Sequence, residues 1–238
     1  MVTLLENRYA PITSSAGFLE CSVATVSQAL SDWRGALYGA QRVSVTRSSD
    51  PFPAVLRRLE PLTGGTPPRE LALSTDSLWT AYFNCFIQGT EATPTIGHLA
   101  EVLGCRGVTV RNIPHTWTRG RSGRIGSVQF QMFGPDRTQF LNYVRTIEVT
   151  HDGRRWIFSQ SGDLQAFEHP DRYRARSIPD RFPPELLDEY CQALGIRYFD
   201  STFYQSQGTF VESRVPMSAD VKVMSLPTAR QWLGIEAP

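Results

Sequence analysis

Lysine is almost absent from this 238-residue chain, which has one lysine, Lys222, and 23 arginines. Either cation keeps a protein surface solvated, so the ratio indicates the codon bias of a GC-rich bacterial genome more than a particular chemistry. Arginine content alone therefore does not indicate nucleic-acid binding. The formal net charge of +1 also disfavours nucleic acid as a partner, because binding to phosphate backbones depends on a basic surface.

Long apolar runs are also missing. No segment approaches the roughly 20 apolar residues that a membrane-spanning helix needs. The first residues, MVTLLENRYAPITSSAG, contain no basic stretch followed by an apolar one, as a secretory signal would. We therefore expect a cytoplasmic protein that makes no contact with a membrane.

Cysteine is sparse and scattered. Cys21, Cys85, Cys105 and Cys191 include no CxxC pair, and no histidine lies at metal-ligand spacing from them. This pattern predicts reduced, mostly buried thiols, with no metal site and no cofactor.

The remaining composition is that of an ordinary globular protein, with 41% hydrophobic and 20% charged residues. A chain of this length forms one large domain or two small ones. We expect a single domain over residues 1–238, with a possible internal boundary in TGGTPP at 63–68. Residues 213–238 are expected to form a C-terminal extension.

Helical signals are concentrated in a few segments. ECSVATVSQALSDWRGALYG repeats apolar residues at helical spacing between a capping Ser22 and Gly39. TPTIGHLAEVLG, which Thr93 is expected to cap, and PPELLDEYCQALG both have proline near their start and glycine at their end. DPFPAVLRRLEPL, beginning at Asp50, is expected to form another helix, so the N-terminal part is predicted to be helix-rich.

Strand patterns dominate from Glu70 onward, in ELALST, LWTAYFNCF, GVTVRNI, GSVQFQMF, NYVRTIEVT and RRWIFSQS. The last two flank THDGR, where Asp152 and Gly153 suit the positive φ angles of a tight turn, so residues 143–158 are predicted to form a hairpin. Strands and helices do not alternate regularly. The fold class expected is α+β, with a mostly antiparallel sheet and helices packed on it.

Positive charge is concentrated in the middle of the chain. Residues 106–181 hold 13 arginines and 7 acidic residues, whereas the segments on either side are net acidic. This distribution predicts a basic face that attracts an acidic protein partner, and a solvated surface that binds nothing is the alternative. The candidate binding residues are Arg119, Arg121, Arg124, Arg154, Arg155, Arg172, Arg174 and Arg176, the last three lying on one side if RYRAR is a strand.

The segment HTWTRGRSGRIGSVQFQM places three of these arginines among glycines. Glycine-rich loops and arginine forks bind oxyanions, but the same letters also describe a solvated turn. The segment lacks the GxxxxGK[ST] pattern of a nucleotide-binding loop. We expect residues 116–125 to be an exposed, mobile connection between two strands, because three neighbouring cations repel one another.

His115 is the best candidate for catalysis. It follows a proline and precedes the arginine-rich loop, and it would need Cys85 or Cys105 nearby to form a thiol–imidazole pair. The carboxylates in the middle of the chain are too dispersed to identify an acid/base pair.

The stretches LWTAYFNCFIQGT, GSVQFQMFGP and FLNYVRTIEVTHDGRRWIF resemble an uncharacterised group of bacterial hypothetical proteins from GC-rich genomes. This resemblance covers about the middle third of the chain. It implies a shared fold and provenance, and it assigns no activity, catalytic residue or binding residue.

Two functions remain open at this point. The first is a non-enzymatic binding protein, similar in general class to the immunity proteins that neutralise bacterial toxins. The second is an enzyme, a hydrolase or a phosphate-handling enzyme, with His115 near the arginine-rich loop. The sequence does not determine the ligand or the oligomeric state.

Overall fold

Nine strands form one antiparallel sheet in the computed structural model, which describes residues 2–119, 123–214, 218 and 220–235. In chain order, the strands are β1 (Ser15–Leu19), β2 (Val43–Ser48), β3 (Leu62–Thr63), β4 (Arg69–Thr75), β5 (Thr80–Asn84), β6 (Gly107–Ile113), β7 (Ser127–Phe133), β8 (Tyr143–His151), β9 (Trp156–Gly162), β10 (Tyr204–Ser213) and β11 (Val223–Met224). The order across the large sheet is β2-β10-β4-β5-β1-β6-β7-β8-β9, and β3 pairs with β11 separately. Strands from before and after residues 63–68 therefore belong to the same sheet.

The described residues also form four α-helices: α1 (Val23–Tyr38), α2 (Thr93–Leu103), α3 (Pro184–Ala193) and α4 (Leu226–Trp232). The Ser22 side chain caps α1 by accepting from the Thr25 amide, as the sequence predicts. Gly104 ends α2 in the left-handed conformation. The expected α+β class with a mostly antiparallel sheet is confirmed.

The predicted hairpin is present as β8 and β9. Gly153 has a φ of 94° in the turn, a value that glycine adopts without strain. The Asp152 side chain accepts hydrogen bonds from the amides of Arg154 and Arg155, at 2.7 and 2.8 Å. These local contacts explain why the turn is readable from the sequence.

Three local expectations are wrong. Thr93 is the first residue of α2 and does not cap it, because Ala92 is at the N-cap position and the Thr93 hydroxyl donates to Gln131. Residues Ala54–Leu59 form a 3-10 helix instead of the α-helix expected after Asp50, whose carboxylate contacts Ser48 and Arg58 and caps no helix. Prolines at 51, 53 and 61 remove backbone donors that an α-helix would use. The RYRAR segment likewise lies in a 3-10 helix, Pro170–Arg174, and in the turn that follows, so its arginines do not alternate along a strand.

Both faces of the sheet centre are buried. On one face, α1 and α2 pack on an apolar cluster that includes Tyr82 and Ile96. On the other face, a larger cluster joins Phe83 and Phe130 to Leu187 of α3. β5 is a central strand, because its alternate side chains enter both clusters.

Two glycines set the distance of α2 from the sheet. A Cβ atom at Gly17 would lie 2.4 Å from Cγ1 of Ile96, and one at Gly107 would lie 2.7 Å from Cγ2 of the same residue. Their missing side chains let Ile96 sit directly on β1 and β6. The first turn of α2 therefore lies close enough to the sheet for the Thr93 hydroxyl to donate to Gln131 of β7 on the same face.

Candidate functional site

The sheet face on which α1 and α2 pack becomes polar beyond α2. We define the polar face by eight side chains on neighbouring positions of β6 to β9, and most of them are half-buried or exposed. Strand register places them in two cross-strand rows. The first row is Arg111, Gln129, Glu148 and Ser159, and the second is Thr109, Gln131, Thr146 and Ser161.

Hydrogen bonds hold the polar face in place. The Oε1 atom of Gln131 accepts from the hydroxyls of Thr93 in α2 and Thr109, both at 2.8 Å. Gln129 and Ser159 donate to different oxygens of Glu148, at 2.9 and 2.7 Å. These bonds fix the orientation of the side chains before any ligand arrives, which lowers the entropy lost on binding.

Arg111 is the cation of the polar face. It lies between Ser15 of β1 and Gln129 of β7 in the sheet register. Burial lowers the pKa of its guanidinium, and the carboxylates of Glu91 and Glu148 oppose that effect. Arg111 is half-buried, and no carboxylate oxygen of the described residues comes within 4.0 Å of its nitrogens, so it has no ion pair there.

Arg124 is a buried arginine nearby, with 7% of its surface exposed. Its Nη1 donates to the Ser14 hydroxyl at 2.6 Å, and its Nη2 donates to the Gln88 carbonyl at 3.3 Å. Burial and then the charge of Arg111 lower the pKa of Arg124 to about 10. Like Arg111, it has no carboxylate within ion-pair distance among the described residues.

The expectation that residues 116–125 form an exposed connection is wrong for Arg124. The amides of Thr116 and Trp117 both donate to the Arg124 carbonyl at 3.0 Å, and the Arg124 amide donates to the Thr116 hydroxyl. The connection therefore folds back on itself and carries the Arg124 side chain to Ser14. Residues 120–122, including Arg121, lie outside the described residues.

The two arginines have donors to offer. A guanidinium has five N–H groups, and Arg124 uses two of its nitrogens in the contacts above. In the described part of the chain, the only fully buried side-chain nitrogen or oxygen without a partner is Oγ of Ser213. The other nitrogen donors of Arg111 and Arg124 are therefore accessible. Two such neighbouring cations suit a carboxylate or phosphate, which guanidinium groups bind with paired hydrogen bonds.

The other predicted arginines lie in two places. Arg119 is in the β6–β7 connection and Arg154 and Arg155 are in the β8–β9 turn; all three are exposed at the end of the sheet that carries Arg124. Arg172, Arg174 and Arg176 are also exposed. Their segment is anchored by Tyr173, which packs on Phe158 in the apolar cluster of the opposite sheet face.

His115 contacts other rings and not a thiol. Its Nδ1 accepts from the Gly126 amide at 3.1 Å, and its ring lies 4.3 Å from that of His151 and 5.2 Å from that of Trp156, between centroids. Burial, followed by the neighbouring His151, lowers the pKa of His115.

The two candidate cysteines contact other groups. Cys105 precedes β6 and His115 follows it, so a seven-residue strand, roughly 20 Å long, separates them. Cys105 lies beside Cys21, and burial followed by this second thiol raises its pKa to about 12. Cys85 is buried with its sulfur 4.0 Å from the Thr63 hydroxyl, and burial raises its pKa as well. Neither thiol has the lowered pKa of a catalytic nucleophile.

Sequence reasoning missed Arg111 and Ser14. A signal for Arg111 exists, because polar residues alternate with apolar ones in GVTVRNI, SVQFQMF and VRTIEVT, which is typical of strands with one polar face. No comparable signal exists for Ser14, which lies 110 residues from its partner Arg124.

Comparison with known proteins found no matching family model, no matching curated protein and no matching solved structure. The resemblance to hypothetical proteins of GC-rich bacteria thus stays an expectation. Within the described residues, no helix combines the length and apolar character needed to cross a membrane. The same residues contain no group of three or more histidine, cysteine or acidic side chains placed to hold a metal ion.

Proposed function

We propose that this chain is a binding protein that holds an acidic group of a protein partner between Arg111 and Arg124, with the polar face as the surrounding contact surface. One observation carries the proposal. Two neighbouring arginines, one half-buried and the other buried, have no carboxylate of the described residues in ion-pair contact with either one.

This arrangement destabilises the free protein. Buried charges are normally paired, because an unpaired charge loses its hydration without compensation. Arg111 and Arg124 also repel one another, as the lowered pKa of Arg124 reflects. A bound carboxylate would relieve both costs, so the pair suits a ligand better than it suits a purely structural role.

The surroundings favour a protein ligand over a small anion. The polar face extends across four adjacent strands as an ordered set of amide, hydroxyl and carboxylate groups. Exposed Arg119, Arg154 and Arg155 lie at the same end of the sheet, where they would increase the association rate of an acidic surface. An immunity-type inhibitor, whose acidic partner is a bacterial toxin, is one form of this proposal.

A ten-residue glutamate peptide is a suitable probe. Its affinity should be measured by calorimetry at two salt concentrations for the unaltered protein, for Arg111→Gln and for the matched control Arg172→Gln. We expect Arg111→Gln to weaken binding about tenfold, which is the loss of one charge-assisted contact. Arg172→Gln should change the affinity less than twofold, because that side chain is exposed on a segment of the other sheet face.

Circular dichroism should first show that both variants are folded. Equal weakening by the two substitutions would indicate general charge attraction and would refute the proposed site. The same conclusion would follow if the folded, unaltered protein did not bind the peptide at low salt.

A further inference from the structure

A concave site separate from the Arg111–Arg124 pair lies at the other end of the sheet. It is a cleft of about 970 Å³ between the start of α1 and the strands β2, β10, β4 and β5. Arg124 reaches Ser14, just before β1, whereas this cleft begins at Cys21, just after β1. The two sites are therefore separated by the length of that strand.

Many hydroxyl groups line the cleft, and no aspartate or glutamate of the described residues lines it. Serine and threonine side chains come from the start of α1, from β2, from the β4–β5 turn and from β10. These residues are Ser22, Ser27, Ser48, Ser49, Ser74, Thr75, Ser77, Thr80 and Thr209. Arg47 is the single charged residue among the described residues of the lining.

Thr209 points to a ligand. The residue is 8% exposed and lines the cleft, and its hydroxyl has no hydrogen-bond partner among the described residues. Oγ of Ser213 is the only fully buried side-chain nitrogen or oxygen of the described residues that lacks a hydrogen-bond partner, so the Thr209 hydroxyl is not fully buried. The Thr209 hydroxyl therefore opens into the cleft and is available to a bound molecule.

Further donors surround it. The Arg47 side chain is exposed beside Thr209 in the β2–β10 register and makes no ion pair with a described residue. The first amides of α1, at Val23 and Ala24, have no partner within the helix, and no acidic residue lies in its first turn. Arg47 and Thr209 therefore offer an oxyanion a cation and a hydroxyl side by side, and the lining of the cleft also includes the positive end of a helix dipole.

The rest of the lining presents acceptors. Ser27 donates its hydroxyl proton to the Val23 carbonyl, Ser74 to the Gln207 carbonyl and Thr80 to the Cys21 carbonyl. A hydroxyl that donates in this way keeps its lone pairs as acceptors. Ligand hydroxyl groups are the complementary donors.

We infer that the cleft binds a small hydroxylated anion, of the class of sugar phosphates and sugar acids. Arg47 and Thr209, which are neighbours in the β2–β10 register, hold the oxyanion. The serine and threonine oxygens accept from the hydroxyl groups. This site is independent of the Arg111–Arg124 pair.

Calorimetry with four probes tests the inference: ribose 5-phosphate, gluconate, inorganic phosphate and ribose. We expect ribose 5-phosphate or gluconate to bind one per chain, at least about tenfold tighter than phosphate or ribose, because both halves of the lining contribute. Thr209→Val, which keeps the side-chain shape, and Arg47→Gln should each weaken this binding by about fivefold or more. Arg172→Gln, at an exposed arginine outside both sites, serves as the matched control and should leave it unchanged.

Several outcomes would overturn the inference. Absence of saturable binding by all four probes is one, and phosphate binding as tightly as ribose 5-phosphate is another. Binding that survives both Thr209→Val and Arg47→Gln would place the ligand elsewhere. Because Arg47 is exposed, its substitution is expected to leave folding intact even if Thr209→Val does not.

Discussion

Nη1 of Arg124 donates a hydrogen bond to the Ser14 hydroxyl over 2.6 Å and so ties the β6–β7 connection to the chain just before β1. This contact brings a guanidinium into the protein, close to Arg111, without an acidic partner among the described residues. Two cations held in this way cost stability in the free protein and offer binding energy to an anion.

Replacing Arg124 by methionine tests this cost directly. Lowering of the Arg124 pKa from 12.5 to about 10 means that the charged guanidinium destabilises the folded protein by roughly 3 kcal/mol. The variant regains this energy but loses the hydrogen bonds to Ser14 and Gln88, which offsets about half of the gain. We expect Arg124→Met to leave the free energy of unfolding unchanged or to raise it by about 1–2 kcal/mol. Urea unfolding measures it, with Arg119→Met as the exposed control, and a loss above about 2 kcal/mol would show that Arg124 is mainly structural.

Glu148 should limit the affinity of the site for anions. The negative charge of its carboxylate raises the pKa of Arg111, and the carboxylate accepts hydrogen bonds from Gln129 and Ser159. Glu148→Gln removes a negative charge that competes with the ligand. We therefore expect the glutamate peptide to bind about threefold to tenfold tighter, because an interaction of 1.4 kcal/mol changes affinity tenfold. Weaker or unchanged binding would show that Glu148 does not face the bound anion.

Glu168 should be essential for stability. Its carboxylate accepts from Nε and Nη2 of Arg145, at 2.8 and 2.7 Å, and from the Tyr173 hydroxyl at 2.6 Å, and the ion pair is buried. Glu168→Gln leaves Arg145 buried without a counter-charge, so we expect a loss of about 3–5 kcal/mol in the free energy of unfolding. The exposed Glu189→Gln is the control and should cost less than about 1 kcal/mol. Similar losses of unfolding free energy in the two variants would contradict the argument that burial makes the Arg145–Glu168 ion pair costly to break.

Acid should destabilise the protein partly through His115. Burial and the neighbouring His151 lower its pKa below 6.5, so the unfolded chain binds a proton more readily than the folded protein does. Stability is therefore lost as the pH falls from about 6.5 toward the lowered pKa of the folded state. We expect the free energy of unfolding to fall less between pH 7 and pH 5 in His115→Gln than in the unaltered protein.

His98 contributes to the same pH range, because burial lowers its pKa too. Of the unaltered protein, His115→Gln and the double variant with both histidines replaced by glutamine, the double variant should show the smallest change in the free energy of unfolding between pH 7 and pH 5. If His115→Gln had the same pH dependence as the unaltered protein, the His115 environment described here would be wrong.

Local sequence signals determined much of the fold. The Ser22 cap, the left-handed Gly104 and the turn at Gly153 act through neighbours within a few residues, so the helices and the hairpin were readable before any tertiary contact was known. The alternation of apolar residues in the strands indicated an antiparallel sheet for the same reason. Local signals misled where prolines crowd residues 51–61, because backbone donors are missing there.

Only the tertiary structure decided which of the many arginines are distinctive. Arg119 and Arg124 lie five positions apart in one glycine-rich segment, yet one is exposed and the other is buried against Ser14. Burial depends on a residue 110 positions away, and no local pattern encodes a contact across that separation. The pairing of Arg124 with Arg111 and the separation of Cys105 from His115 arise from strand order, because sheet topology sets which distant segments become neighbours.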